Sequence, residues 1–570
     1  MLRRESLLVL LLSIVAFLPS LSDSFVYDDV PLVRDDARVA RGDVGAAFTT
    51  PYWGERHGGL YRPVTTLSFV LEGRLSRAAL GFHAVNLALH GASAVLVLAL
   101  ARKLLGRGRA AFLAALVFAV HPIHAEVAAN VVGRGESLGL LLGGSAWLLA
   151  RDGRPISLVV ASVLALLAVL AKESAIVLAL AAPLELLLVR RSPGRAAVAA
   201  APACFALAIA LGLRTFMLGP EALTPATQGI APFMNPLATE ALGVRLANAP
   251  LLLLTYLEHL AVPLRLAPDY GGSALPLAAS AGDPRVFAWA LASAVALVAP
   301  ALLAREHARA LGFASAFLVL ALAPVLQLVP IGTLLADRLA YAASIGFALA
   351  AGVALDAIAR RFRGAGRLFV ALLVGGLAGL ALLEARAWSD GLTLFERAHA
   401  RSHGSVQIPL DLGKMRLARA RELEASSGPA AREEYALAVE PLEEASRLAP
   451  DDPGPLLLLG EALRELGRLG EARRSLERAL ALHPREEAAG RSELGLVLLA
   501  QGERDLALDQ LFQSAFLEPG YRTCAIAGQL LAERGDRWWA RHELELSLAL
   551  EPRQESAPRI RELLLSLTKD

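Results

Sequence analysis

Asp28 and Asp29 form the earliest grouping in the chain whose residue types could do chemistry. Two adjacent carboxylates raise each other's pKa, and one of them can serve as a general base. The same pair also suits a helix cap or a turn at a membrane surface. His121 and His124, with Glu126 close by, hold the residue types of a metal cluster, because histidines three apart can share a helix face. Pro122 disturbs that helix, no HExxH pattern is present, and a catalytic zinc needs three well-placed ligands. A hydrogen-bonding or acceptor-orienting role is therefore expected for the three residues, and no metal. Lys172-Glu173 ends one apolar run and Asp337-Arg338 starts another, while Arg134 lies between two. Charges at membrane level are costly and tend to be functional or paired. Arginine there suits a phosphate, which its planar fork can grip with two hydrogen bonds. Each of these charges could equally be a structural ion pair.

The elements that must carry these groups divide in two. Overall 55% of the 570 residues are hydrophobic, only 19% are charged, and mean hydropathy is +0.50. Soluble proteins have roughly 25% charged residues, and a bilayer-spanning helix needs about 20 apolar ones. Up to about Leu383 the sequence is a series of eleven apolar runs, from Leu7–Leu21 through Ala110–Glu126 and Ile156–Ala171 to Leu368–Leu383. Six arginine-rich patches lie between them, around Arg3–Arg4, Arg102–Arg109, Arg151–Arg154, Arg190–Arg195, Arg305–Arg309 and Arg360–Arg367. They fall on alternate ends of the runs, so the positive-inside rule puts all six in the cytoplasm. Eleven crossings then put the C-terminal region outside. Ala247–Val262 would break the alternation if it crossed, and it is read as re-entrant or interfacial. The first run also has the basic start and short apolar core of a signal peptide, but the later loops orient correctly with it retained. The first outside loop, residues 22–82, then carries the aspartate pair, and the other unusual polar groups fall on the same face.

Disorder, collagen and a disulfide scaffold are excluded: the two cysteines, Cys204 and Cys524, form no framework. With a net charge of +2, no nucleic-acid footprint shows at the level of the whole chain.

After Trp388 the sequence turns charged and periodic. Tetratricopeptide units repeat every 34 residues. Gly460, Ala472, Leu476, Ala479 and Pro484 fit positions 8, 20, 24, 27 and 32 of one unit. Gly495, Ala507, Leu511 and Pro519 repeat the register, and Gly528, Ala540, Leu544 and Pro552 repeat it again. Ala438, Leu442, Ala445 and Pro450 end an earlier unit, whose first helix is expected to be stretched by an insertion near Ser426–Pro429. Stacked units leave a concave groove suited to peptide or protein.

The order of motifs resembles the transmembrane and TPR repeat-containing O-mannosyltransferases. The resemblance is carried by FVYDDVPLVRDDARV (25–39), LYRPVTTLSF (60–69), FHAVNLALHGASAVLV (82–97), HPIHAEVAANVVGRGESL (121–138), AKES (171–174), NPLA (235–238), VPLRLAPDYG (263–271), VPIGTLLADRLAYAASIGF (329–347) and EARAWSDGLTLFERA (384–398), followed by the repeats. It implies an all-α polytopic bundle of GT-C type over residues 1–385, a connector over 386–410 and a TPR solenoid over 411–570. It implies transfer of a sugar, mannose, from a polyprenyl- or dolichyl-phosphate carrier to Ser or Thr hydroxyls of proteins on the non-cytoplasmic face. Asp28 or Asp29 would be the catalytic base. Lys172 and Arg338 would hold the lipid phosphate, with Arg134, His121, His124 and Glu126 in the substrate region. The donor is a substrate, so no cofactor is implied. The partners are the lipid donor, an acceptor peptide in the TPR groove, and membrane lipids. Arginine bias and the compact repeat array favour a bacterial inner membrane with the repeats in the periplasm. A non-catalytic membrane-anchored TPR scaffold and a transporter of lipid-linked substrate are the alternative classes. The scaffold needs no clustered outside charges, and a transporter places polar groups near mid-membrane.

Overall fold

The computed structural model describes residues 2–54, 59–219, 230–482 and 487–568, and every regular element among them is helical. The chain divides into two compact units, Met1–Gly404 and Ser405–Asp570.

In the first unit each of the eleven apolar runs forms a helix or a pair of helices. Among the described residues five helices are long and apolar enough to cross a membrane: Ala79–Leu105, Pro193–Leu218, Pro284–Leu303, Arg305–Val325 and Arg363–Ala387. A sixth is reached if Arg109–Val120 and Pro122–Ala129, bent by 48° at His121, form one span. Pro122 causes that bend, having no N–H to continue the helix. The other runs give shorter helices, such as Pro155–Ala171 with 17 residues and Ile176–Leu188 with 13. The stretch read as interfacial lies within one 20-residue helix, Leu242–Ala261. Pro284–Leu303 leaves Phe287, Leu291, Val295, Val298 and Leu302 exposed, an apolar face that a bilayer would cover.

The arginine-rich patches gather at one end of this bundle. Arg102 pairs with Glu5, Arg190 reaches the Lys103 carbonyl, and Arg195 donates to the Arg151 carbonyl. Arg151 also pairs with the buried Glu185, at 2.5 Å, and Arg109 pairs with Asp356. Ala304 and Leu311, flanking the fifth patch, pack with Leu105 and Ala110. The helix Arg134–Ala150 leads from this end to the opposite one, where the aspartate pair and the other candidate polar groups collect.

Two helices bring the candidate residues into register. Arg109–Val120 leads to Glu126, and Ser344–Arg361 follows Arg338. They cross closely at Gly352, where a Cβ would overlap the Ala110 carbonyl oxygen and lie 2.6 Å from the Ala114 nitrogen. Both obstacles are backbone and cannot rotate away.

The second unit is built of antiparallel helix pairs: Gln407–Leu423 with Gly428–Leu448, Pro453–Glu465 with Leu469–Leu482, Glu487–Ala500 with Arg504–Leu517, and Tyr521–Arg534 with Arg537–Leu550, closed by Ala557–Leu567. The repeat register has a physical basis. A Cβ at Gly460 would meet Leu476 at 2.5 Å, one at Gly495 would meet Leu511 at 2.6 Å, and one at Gly528 would meet Leu544 at 2.7 Å. Each leucine fills the space that its glycine leaves open. Pro484 lies outside the described residues. In the earliest unit both helices are long, the first, Gln407–Leu423, with 17 residues and the second, Gly428–Leu448, with 21, against 13 or 14 in the pairs that follow.

Gly352→Val should lower the thermal stability of the purified full chain by about 1–3 kcal/mol, the usual cost of overpacking. Unchanged melting would show that the two helices can separate without penalty.

Candidate functional site

The aspartate pair begins a few residues past the opening helix Leu2–Ala16 and the turn Leu18–Ser20. Tyr27 has φ 55°, the left-handed region that a non-glycine residue rarely adopts. Such a residue stores about 1–3 kcal/mol and persists only where its surroundings hold it.

The two carboxylates have different environments. Asp29 is 0% exposed and accepts hydrogen bonds from the backbone N–H groups of Val131, at 3.0 Å, and Val132, at 2.8 Å. Burial pushes its carboxyl up to about 7, although those two N–H groups favour the charged form and only the neighbouring Asp28 charge adds to the rise. Asp28 is half-buried and lies within electrostatic reach of Arg338. Burial works against the Arg338 charge, but Glu126, Asp28 and Tyr27 outweigh it and raise its pKa.

The turn that receives Asp29 is itself held from behind. The Asn130 side chain accepts from Val132 N–H, and Gly133 is required because a Cβ would sit 2.7 Å from Val127 Cα. Asn86 donates to the carbonyls of Asn130 and Val131 and accepts from Arg134 Nε at 2.8 Å. Arg134 is 1% exposed, pairs with Glu72 at 2.7 Å, donates to the Phe82 carbonyl and lies over the rings of Phe69 and Phe82. Its guanidinium is thus committed inside the protein, and the structure makes it a support for the turn rather than a hand for a lipid phosphate.

His121 and His124 also face inward. His121 Nε2 donates to the Leu260 carbonyl at 2.8 Å, and its Nδ1 accepts from Ile123 N–H. His124 lies between the Phe118 carbonyl and the Ser344 hydroxyl, both at 2.9 Å. With both ring nitrogens engaged, neither histidine turns toward an acceptor. They join the His121–Glu126 segment to Leu242–Ala261 and Ser344–Arg361. Glu126, in contrast, accepts from the backbone N–H of Arg338 at 2.9 Å and pairs with its guanidinium.

Asp337 and Arg338, neighbours in sequence, serve different partners. Asp337 binds His259 Nδ1 at 2.8 Å and accepts from the Tyr270 hydroxyl at 2.8 Å. It therefore anchors the Asp269-Tyr270 loop, leaving Arg338 to Glu126 and the aspartate region. The Arg338 side chain is 22% exposed.

Lys172 belongs to a second cluster. Its ammonium lies 2.7 Å from Glu136, while Glu173 takes the fork of Arg62 at 2.8 and 2.9 Å. Burial pushes Glu173 up, but Arg62 and Lys172 outweigh it and hold the carboxyl at about 2. Burial, then the Arg62 charge, lower the Lys172 pKa against the pull of Glu136 and Glu173. The Arg62 guanidinium also lies 4.9 Å from the centre of the Tyr52 ring. The four ionic groups balance each other. Arg62 and Glu136 are partners that the residue types and spacing did not single out. The signal for Arg62 was its place in LYRPVTT, next to Tyr61 and Pro63.

A family model described as tetratricopeptide repeat matches residues 430–492. The chain is similar to curated proteins named protein O-mannosyl-transferase. One is F38B6.6 of Caenorhabditis elegans, 26% identical over 425 residues, which covers 72% of this chain and 60% of that protein. Shorter matches are TMTC3 of Mus musculus, 37% identical over 23% of this chain and 15% of that protein, and TMTC4 of Homo sapiens, 36% identical over 22% and 20%. The chain thus spans less than two thirds of the length of each of these relatives. Among solved structures, MamA is 22% identical over 28% of this chain and 87% of MamA, with a TM-score of 0.23.

Asp29→Asn should destabilise the chain by about 1–3 kcal/mol, because an amide offers one acceptor oxygen where two N–H groups need one each. The wild-type carboxyl binds its proton more tightly folded, at about 7, than at the ordinary 3.8. Its contribution to stability is therefore full below pH 3.8 and is lost as pH rises through about 7. Melting curves from pH 4 to 8 should show this slope in the wild type and lack it in Asp29→Asn. Arg134→Gln should cost more, about 3–5 kcal/mol, since it leaves Glu72 without its buried partner. If Arg134→Gln melts normally but binds donor weakly, the supporting role is wrong.

Proposed function

We propose that this protein is a membrane glycosyltransferase that moves mannose from a polyprenyl-phosphate carrier to Ser or Thr hydroxyls of proteins. Similarity to proteins named O-mannosyl-transferases supports the reaction. The observation that carries the reading is the half-buried Asp28 carboxylate, just past the opening apolar helix and within reach of the Arg338 charge.

The chemistry follows from that juxtaposition. The acceptor oxygen attacks the anomeric carbon of the sugar, and its proton passes to Asp28. The bond from that carbon to the phosphate oxygen breaks, and the phosphate leaves with added negative charge. Arg338, kept charged and aimed by Glu126, stabilises that charge as it grows. Asp29 holds the backbone and does not touch substrate. Lys172 and its ionic neighbours form a charge-balanced set beside Tyr52. The carrier tail would stay in the bilayer with its sugar at the surface, on the face opposite the arginine-rich loops. The arginine bias and the compact repeat array favour a bacterial inner membrane, with chemistry and repeats on the periplasmic side. The repeat groove is suited to an extended acceptor segment.

Transfer from labelled polyprenyl-phosphate mannose to a Ser/Thr-rich peptide by the purified full chain tests this reading. Asp28→Asn should lower turnover by about 10²- to 10⁴-fold, the usual contribution of a positioned base, with melting unchanged. Near-normal transfer by Asp28→Asn would remove Asp28 from the reaction, and no transfer by the wild type would remove the reaction itself. Arg338→Ala should lower kcat/KM by roughly 10- to 150-fold, the loss of one charged hydrogen bond to phosphate. Arg338→Lys should recover only part of it, keeping the charge without the planar fork.

A further inference from the structure

The short helix Gly391–His399 is bound tightly to its own unit. Asp390 caps it by accepting from Thr393 N–H at 2.9 Å. Arg397 pairs with Glu384 and donates to the Leu383 carbonyl at 2.7 Å, folding the helix back onto Arg363–Ala387. Arg401 adds a second contact to Glu384 at 3.1 Å. At the corner before the helix, the Ser389 carbonyl accepts from the Ser22 hydroxyl at 2.6 Å, which brings the segment beside the first outside loop. The result is a rigid platform whose inner face carries Leu394, Phe395 and Ala398, all buried.

Phe395 is 1% exposed, and its ring meets Tyr27 edge to face, with centroids 5.7 Å apart. Tyr27 is the left-handed residue immediately before Asp28. On its other side the pair is fixed by Asp29 on the Val131–Val132 turn. The three residues Tyr27, Asp28 and Asp29 are therefore held at both ends, with the half-buried carboxylate between. A backbone in an unfavourable conformation keeps it only while its side chain is held.

We infer that Phe395 is a positioning residue for Asp28: its ring holds Tyr27 in the left-handed conformation that aims the Asp28 carboxylate toward Arg338. This inference rests on Asp28 being the base. Phe395 touches neither donor nor acceptor and acts through Tyr27 alone. The helix that carries it ends five residues before the repeat unit begins at Ser405, so it is also the last element of the first unit along the chain.

The test uses the full chain and labelled polyprenyl-phosphate mannose. Phe395→Leu should lower kcat by about 10- to 100-fold, the effect of displacing a reacting group by about 1 Å, with donor KM within twofold of the wild type. Tyr27→Leu should do at least as much, and the double variant should be no slower than the worse single one, because both break one path. Turnover is taken per folded molecule, from melting curves of each variant. Should Phe395→Leu not fold, Phe395→Met keeps nearly the same volume without the aromatic edge and carries the same expectation. Normal turnover per folded molecule in the Phe395 variant that folds, or fully multiplicative effects of the two substitutions, would overturn the positioning role. Asp28→Asn in the same assay separates the two ideas: if it keeps its activity, the base assignment fails; if it is inactive while the Phe395 variant is normal, only the positioning role fails.

Discussion

The polar end of the bundle depends on one carboxylate that does no chemistry in the proposed reaction. Asp29 accepts two backbone N–H groups from Val131 and Val132, residues about a hundred positions away. A buried N–H without a partner costs about 1–3 kcal/mol, so this turn and the segment that carries the aspartate pair each complete the other. The turn is fixed in depth by Asn86 and by Arg134, whose charge is answered by Glu72 and two aromatic rings. The backbone on one side of Asp28 is tied down by this neighbour.

Buried charge is handled in the same way throughout this end. Arg62 with Glu173, Lys172 with Glu136, Arg338 with Glu126 and Asp337 with His259 form separate small sets in which opposite partners lie within hydrogen-bond distance. Removing a charge from water costs several kcal/mol, and a single partner of good geometry offsets most of it. Such pairs add little net stability, but each admits one arrangement of its helices. Among the cations of these sets Arg338 has the most exposed side chain, and it shares its charge with Glu126, Asp28 and Tyr27. A cation held this way is oriented in advance, as stabilisation of a departing phosphate requires.

The opposite end uses arginines differently. Arg102, Arg109, Arg151 and Arg195 tie loops to neighbouring helices through single carboxylates or carbonyls, while other arginines remain exposed. The helices between the two ends owe their packing to small residues, as at Gly352 against Ala110 and Ala114. Close backbone approach of this kind supplies dispersion contacts where lipid offers no hydrophobic driving force. The repeat unit reaches the same closeness with Gly-Leu pairs, so both units depend on positions where any side chain would intrude.

Much of this was legible in the residues themselves. Apolar runs dictated the helices of the first unit, because burying or solvating a backbone among such residues leaves few other forms. Spacing of Gly, Ala, Leu and Pro dictated the repeat register, since each pair contacts its neighbour at a fixed interval. The collection of the arginine-rich loops at one end, and of the unusual polar groups at the other, was also written in their alternation. The choice of partners was not. Asp28 and Asp29 have the same chemistry, yet one is sealed on a turn and the other is left half-open, because adjacent residues leave the backbone in different directions. Asp337 and Arg338 are adjacent and of opposite charge, yet their partners come from His259, Tyr270 and Glu126. Arg134, His121 and His124 read as substrate contacts and are engaged internally. An isolated sequence records which charges must be answered. Only the packing of distant helices decides which group answers each of them, and which of two like neighbours is sealed and which is half-buried.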